Sequence, residues 1–147
     1  MVFSPPKRVT RAAVALHVAL YRKTRGKFGS TMANVPVLLI TTFGRKSGKP
    51  YTNPVAYIKD GQDYLVTASA SGVDRDPGWY LNLKARREAK IEVGGTAFNV
   101  QATITEGEER TRLYEKFKAS SSNFVKYEQG TSRVIPVIRL SPTGEQP

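Results

Sequence analysis

The sequence predicts an α+β domain built on a small barrel or strongly bent sheet, and three observations point there. Short strand-like runs follow one another between Gly, Asp and Asn turns. Helical periodicity is confined to a segment near each end and one short piece between them. No strand–helix–strand rhythm runs through the chain. The last observation disfavours a doubly wound parallel sheet and, with it, a Rossmann-type cofactor site. At 147 residues, 39% of them hydrophobic and 10% aromatic, the chain has the length and apolar content of one domain, 1–147.

Apolar residues recur at Val9, Ala13, Leu16 and Leu20, with Val14, Val18 and Tyr21 beside them, which is the spacing of a helix over 7–25. Ser4 and Pro5 supply capping chemistry at its start, and Gly26 supplies a stop. Such a helix packs its apolar stripe on the domain or docks on anionic lipid, and both readings stand at this point. Basic residues ahead of AAVALHVAL superficially resemble a signal peptide. However, His17 interrupts the run, and YRKTRGK follows without a small-residue cleavage site. No apolar run approaches the roughly 18 residues of a spanning helix.

From Val35 the runs VPVLLITTF, TNPVAYIK and DYLVTAS, the last two joined by the turn Lys59-Asp60-Gly61-Gln62, read as an antiparallel meander. In DPGWYLNLKA, Asp76 and Pro77 open a short helix carrying Trp79, Tyr80 and Leu83. AKIEV, Gly94-Gly95 and TAFNVQATIT form a hairpin. Thr105 to about Ala119 is a second long helix, with Glu106, Glu108 and Glu109 near its positive end. A polar loop, SSSNFVKYEQGTSR, leads to the last strand, VIPVIRL, and a frayed tail over 141–147. About six mainly antiparallel strands over 35–140, an N-terminal helix and two further helices result.

Twenty-three Lys and Arg against twelve Asp and Glu give a formal net charge of +11, which favours anionic partners: nucleic acid, anionic lipid or a polyanionic small molecule. With no Cys and one His, a disulfide framework, a Cys nucleophile and a Cys or multi-His metal site are excluded within one chain. A reducing cytoplasm fits this composition.

The charge is densest in TTFGRKSGKP. Gly44, Arg45, Lys46, Ser47, Gly48 and Lys49 offer backbone N–H groups, cationic donors and a hydroxyl within six residues, a set suited to phosphate. It is not a P-loop, because three residues separate the glycines instead of four, and Pro50 stands where a metal-binding Ser or Thr is required. On its own the turn reads first as a solvated hairpin tip and second as a nucleic-acid contact. Trp79 is likewise either a core aromatic or a ligand-flanking one.

In order, LLITTFGRKSGKPYTNPVAYIKDG, VTASASG and DPGWYLNLKA with IEVGG behind it resemble the deazaflavin-dependent nitroreductase family of actinobacterial oxidoreductases, from about Val37 to Leu140. The resemblance implies a split β-barrel like that of flavin-binding pyridoxamine phosphate oxidases. It also implies coenzyme F420, a deazaflavin with a phosphate and an oligoglutamate tail. FMN, whose phosphate would suit the same donors, is the less favoured cofactor. By resemblance, Arg45, Lys46, Ser47, Gly48 and Lys49 hold phosphate and tail, and Asn53, Pro54 and Val55 lie beneath the coenzyme. Ala68, Ser69, Ala70 and Ser71 run along its ring, and Trp79 and Tyr80 flank it. Two positions depart from the family pattern: Tyr51 stands where Arg is common, and Ala70 where the quinone-reducing member has Lys.

A reduced deazaflavin donates hydride from C5, so the protein need supply only binding, alignment and exclusion of water. No obligatory catalytic residue or metal is expected. The acceptor is an electron-poor hydrophobic molecule, whether an activated alkene, a quinone or a nitroaromatic. Tyr127 and Ser69 are candidate proton donors, and Phe124 and Tyr127 are candidate substrate contacts on a mobile loop. The alternatives are a lipid- or fatty-acid-binding relative without redox turnover and, with less support, a nucleic-acid-binding module, since the aromatics fall in apolar patterns apart from the basic clusters. The expected protein is a cytoplasmic monomer that binds no specific nucleic acid and touches the inner membrane face if its N-terminal helix docks there.

Overall fold

The computed structural model describes residues 7–27, 31–32, 35–69 and 75–144. In chain order the elements are α1 (Lys7–Lys23), β1 (Thr31–Met32), β2 (Val35–Phe43), β3 (Pro50–Asp60), β4 (Asp63–Thr67), α2 (Gly78–Ala85), β5 (Glu88–Val93), β6 (Thr96–Ile104), α3 (Gly107–Ser120), α4 (Ser122–Gln129) and β7 (Val137–Pro142). All pairings are antiparallel in the order β1-β2-β3-β4-β7-β6-β5, and β2 also pairs with β5. That last pairing, Leu39 to Glu92 through Thr41 to Lys90, closes six strands into a barrel and removes their free edges. The expected split-barrel architecture is therefore present.

Period-two alternation sorts the side chains. Leu38 and Ile40 of β2, Val55 of β3, Tyr64 and Val66 of β4, Ile91 of β5, Val100 of β6 and Ile138 and Leu140 of β7 fill the interior, joined by Trp79, Tyr80 and Leu83 of α2. On the outside, Leu65 and Val137 meet Leu113, Tyr114 and Phe117 of α3 and Phe124 of α4. Val37 and Leu39 instead meet Val18 and Tyr21 of α1. The unbroken apolar run of β2 follows from this: one face lies in the barrel and the other under α1.

Tyr21 secures α1. Its hydroxyl donates to the Val37 carbonyl at 3.0 Å and accepts from the Gly94 N–H at 2.8 Å. Gly26, at φ 82°, ends the turn after the helix, and a Cβ there would meet the Gly94 Cα at 2.9 Å, so glycine is required by both backbone and space. The helix thus packs on the domain through Val14, Val18 and Tyr21, the residues beside the expected stripe, while Ala13 and Leu16 of that stripe are exposed, Leu16 at 61%. Among the described residues no helix is long and apolar enough to cross a membrane. The expected Ser4 cap lies outside the described residues.

Two expectations are corrected. The stretch read as a polar loop contains α4. Ser121 Oγ accepts from the Asn123 N–H, the Tyr114 hydroxyl donates to the Phe124 carbonyl at 2.7 Å, and Phe124 packs edge-on against Phe117 and Tyr127. The serines that suggested a loop are a helix start, and burial pushes the Tyr114 phenol up to about 12. The last strand also begins later than expected and runs through Pro142, so Ser141 and Pro142 belong to the sheet rather than to the tail.

On the barrel exterior, Arg139 of β7 bridges Asp60 Oδ2 at 2.9 Å and Asp63 Oδ2 at 3.0 Å. The hydrogen bond from Arg139, helped by the charge of Lys116, holds the Asp60 carboxyl below its ordinary 3.8. A lowered carboxyl stabilises the fold above its unfolded value, and that stabilisation is lost as pH falls through the folded one. Arg139→Gln is expected to lower the thermal midpoint by about 2–4 °C at neutral pH, with the gap to wild type closing on acidification below pH 3.8 in calorimetric scans.

Candidate functional site

The β2–β3 turn is built so that its cations face outward. The Gly44 N–H donates to the Lys49 carbonyl at 2.8 Å, the Gly48 N–H to the Gly44 carbonyl at 2.7 Å, and the Lys49 N–H to Ser47 Oγ at 3.2 Å. A Cβ on Gly44 would stand 2.8 Å from both Ser47 Oγ and Tyr51 Cε2, so glycine lets these two side chains close over the turn as they do. Gly48, at φ 73°, takes the left-handed position.

Asn82 of α2 ties this turn to the barrel. Its buried Oδ1 accepts from the Arg45 N–H at 3.2 Å and from Arg45 Nη1 at 3.0 Å, while Nδ2 donates to Thr42 Oγ1 at 3.1 Å. Because the partner of Arg45 is a neutral amide, its positive charge is kept. Among the described residues, ion pairs engage Arg22, Arg86, Lys116, Lys118, Arg133 and Arg139, and none engages Arg45, Lys46 or Lys49. The cations of the turn are therefore available to an anionic ligand, as part of the chain's wider positive excess.

Beside the turn opens a cavity of about 790 Å³, within the usual range for small-molecule sites. Arg45, Lys46, Ser47, Tyr51, Asn53, Pro54 and Trp79, all anticipated from sequence, line it. Gly48 and Lys49 complete the turn without lining the cavity, and Val55, Ala68 and Tyr80 are buried in the barrel interior. Burial raises the Tyr80 phenol above its ordinary value, and the charge of Asp76 adds to the effect. Ser69 is half-buried just beyond β4, while Ala70 and Ser71 lie outside the described residues. Phe124 and Tyr127 sit with α3 on the barrel exterior and do not line the cavity.

Sequence reasoning missed Arg11, Val14 and His17 of α1, along with Pro77 and Asn82. The first three recur at intervals of three on one helix side, yet nothing local says that this side folds over the basic turn. Asn82 left a signal, as a polar residue between Leu81 and Leu83 on a helix that is otherwise apolar from Trp79 to Leu83.

The site thus joins a basic lip, Arg45 and Lys46, to a wall of Val14, Pro54 and Trp79. Residues 13–142 match the model of the family F420H(2)-dependent quinone reductase. The chain belongs to that family. Over 130 residues it is 38% identical to an F420H(2)-dependent quinone reductase of Mycobacterium tuberculosis, covering 86% of this chain and 87% of the relative. A solved F420-H2 dependent reductase, FDR-A, superposes with TM-score 0.66 at 31% identity, covering 72% of this chain and 94% of that one. A second structure, described as a domain-swapped dimer, gives 0.69 at 27% identity, covering 93% and 100%.

This family member is an oxidoreductase that uses reduced coenzyme F420. The donor set fits that coenzyme. Guanidinium, ammonium and hydroxyl groups meet phosphate chemistry at the lip, and an indole with apolar neighbours meets a fused ring within.

Asn82→Leu removes the amide that joins Arg45 to Thr42 and leaves a buried hydroxyl without its donor. It is expected to destabilise the fold by about 1–3 kcal/mol, read from the urea midpoint.

Proposed function

We propose that the chain reduces an electron-poor hydrophobic ring compound of the quinone class at the cavity between α1, the basic turn and α2. The observation that carries the reading is the juxtaposition in one cavity of an unneutralised basic lip with the chain's single tryptophan. When bound in reduced form, the coenzyme supplies a hydride.

The chain's own residues bind and orient. Arg45 and Lys46 engage the anionic end, Asn53 and Pro54 form the floor, and Trp79 sets the ring plane. Val14 and Ala13 of α1 give the acceptor an apolar neighbour and limit water around the transfer. The proton that must accompany hydride is carried in this cavity by His17 and Tyr51. Tyr127, on the outer helix pair, is separated from it by the fold.

Activated alkenes and nitroaromatics share the electron demand of quinones and are the comparison substrates. Lipid or fatty-acid binding without turnover is the alternative, and the single carboxylate of a fatty acid would use only part of the charged lip. Nucleic-acid binding is disfavoured by the burial of Tyr80, Tyr114, Phe117 and Phe124, which leaves them unable to stack on bases.

Reduced coenzyme F420 mixed with protein and menadione, cyclohexenone or a nitroarene is expected to regain the absorbance of the oxidised deazaflavin fastest with menadione. Silence with all three, despite coenzyme binding, would remove the reductase reading. Arg45→Ala and Lys46→Ala are each expected to weaken coenzyme binding by about 1–3 kcal/mol at low salt, read by equilibrium titration.

A further inference from the structure

Arg133 stands between α4 and β7, outside the cavity lining, and its side chain reaches two other segments. Nη2 donates to the carbonyl oxygens of Ala68 and Ser69, both at 2.9 Å, and Nη1 donates to Asp76 Oδ1 at 3.1 Å. The side chain is only 16% exposed, so these bonds are shielded from water. The two carbonyls lie just past β4, where the ladder to β7 ends at Thr67 and Val137 and one further bond joins the Ala68 N–H to the Pro136 carbonyl. Beyond that point the guanidinium takes the place of a neighbouring strand as donor. Asp76 immediately precedes Pro77, the N-cap of α2, and Pro77, Gly78 and Trp79 line the cavity.

We propose that Arg133 is a positioning residue of the coenzyme site, holding the end of β4 and the start of α2 at one separation so that Trp79 meets the coenzyme in a single arrangement. The coenzyme part rests on the functional reading above. A planar fork of donors serves two carbonyls and a carboxylate at once, which a lysine ammonium cannot do in the same geometry. Displacement of binding groups by about 1 Å can cost on the order of a hundredfold in rate, so a clamp behind the wall matters without touching ligand. Arg139 provides the contrast, since it also bridges acids but does so on the barrel exterior.

The test compares Arg133→Gln, Arg133→Lys and Asp76→Asn with Arg139→Gln. Two quantities are read: quenching of Trp79 by iodide in the coenzyme-free protein, and the Kd for oxidised coenzyme F420. Arg133→Gln is expected to raise iodide access to Trp79 and to weaken coenzyme binding about tenfold or more. Asp76→Asn should move both in the same direction, and Arg133→Lys should restore part of each. Arg139→Gln should change neither while lowering the thermal midpoint. Should Arg133→Gln not fold, Arg133→Lys and Asp76→Asn decide by the same readouts. The proposal is overturned if the folded Arg133 and Asp76 variants bind coenzyme like wild type with Trp79 equally shielded, or if Arg139→Gln matches them in both readouts. Failure of the wild type to bind coenzyme would instead remove the functional reading, and the iodide measurement would then decide whether the clamp exists.

Discussion

Strand β2 lacks a solvent face over Val37 to Ile40, because Leu38 and Ile40 point into the barrel while Val37 and Leu39 lie under α1. Burial on both sides fixes its register, since a slip of one residue would exchange the two sets. Pairing with β3 on one edge and β5 on the other closes the barrel around it. Where β2 ends, at Phe43, the chain must turn, and the turn is basic. The same strand that seats α1 therefore delivers Arg45 and Lys46 to the place where α1 and α2 converge.

Neutral hydrogen bonds hold that turn in shape. Had an aspartate stood at Asn82, the guanidinium of Arg45 would face a carboxylate, and the attraction available to an incoming anion would fall. The amide instead satisfies the Arg45 backbone and side chain together and passes the load to Thr42 in the buried part of β2. Acids are used for mechanical joints away from the lip: Glu92 with Arg22, Asp60 and Asp63 with Arg139, Asp76 with Arg133. These acid joints lie away from the cavity's edge, where Arg45 and Lys46 stay available to an anion.

Much of this was legible in the sequence because it is written locally. Short strand-like runs between Gly, Asp and Asn turns marked β3 to β6, Gly94-Gly95 marked a hairpin, and the order of the basic turn, ASAS and PGWY marked the coenzyme-binding family. The rest depends on contacts distant in the chain. That α1 lays Val14 and His17 against a turn some thirty residues later is decided by the outer face of β2, which no local pattern of α1 reveals. The serines before Phe124 carried opposite meanings for loop and helix cap, and the aromatic packing of Phe117, Phe124 and Tyr127 settles which one applies. Arg133 sits in a polar stretch, and its role follows from carbonyls more than sixty residues earlier.

The central claim is that coenzyme F420 lies between the basic turn and Trp79, with α1 as the opposite wall. Amide and indole chemical shifts of isotopically labelled protein, followed during titration with oxidised coenzyme F420, test it most directly. The Trp79 indole N–H, the amides of Gly44 to Lys49 and those of Val14 and His17 are expected to shift together along one binding curve. Shifts gathered instead on α3 and α4, around Phe117, Phe124 and Tyr127, with the turn and Trp79 unmoved, would contradict it.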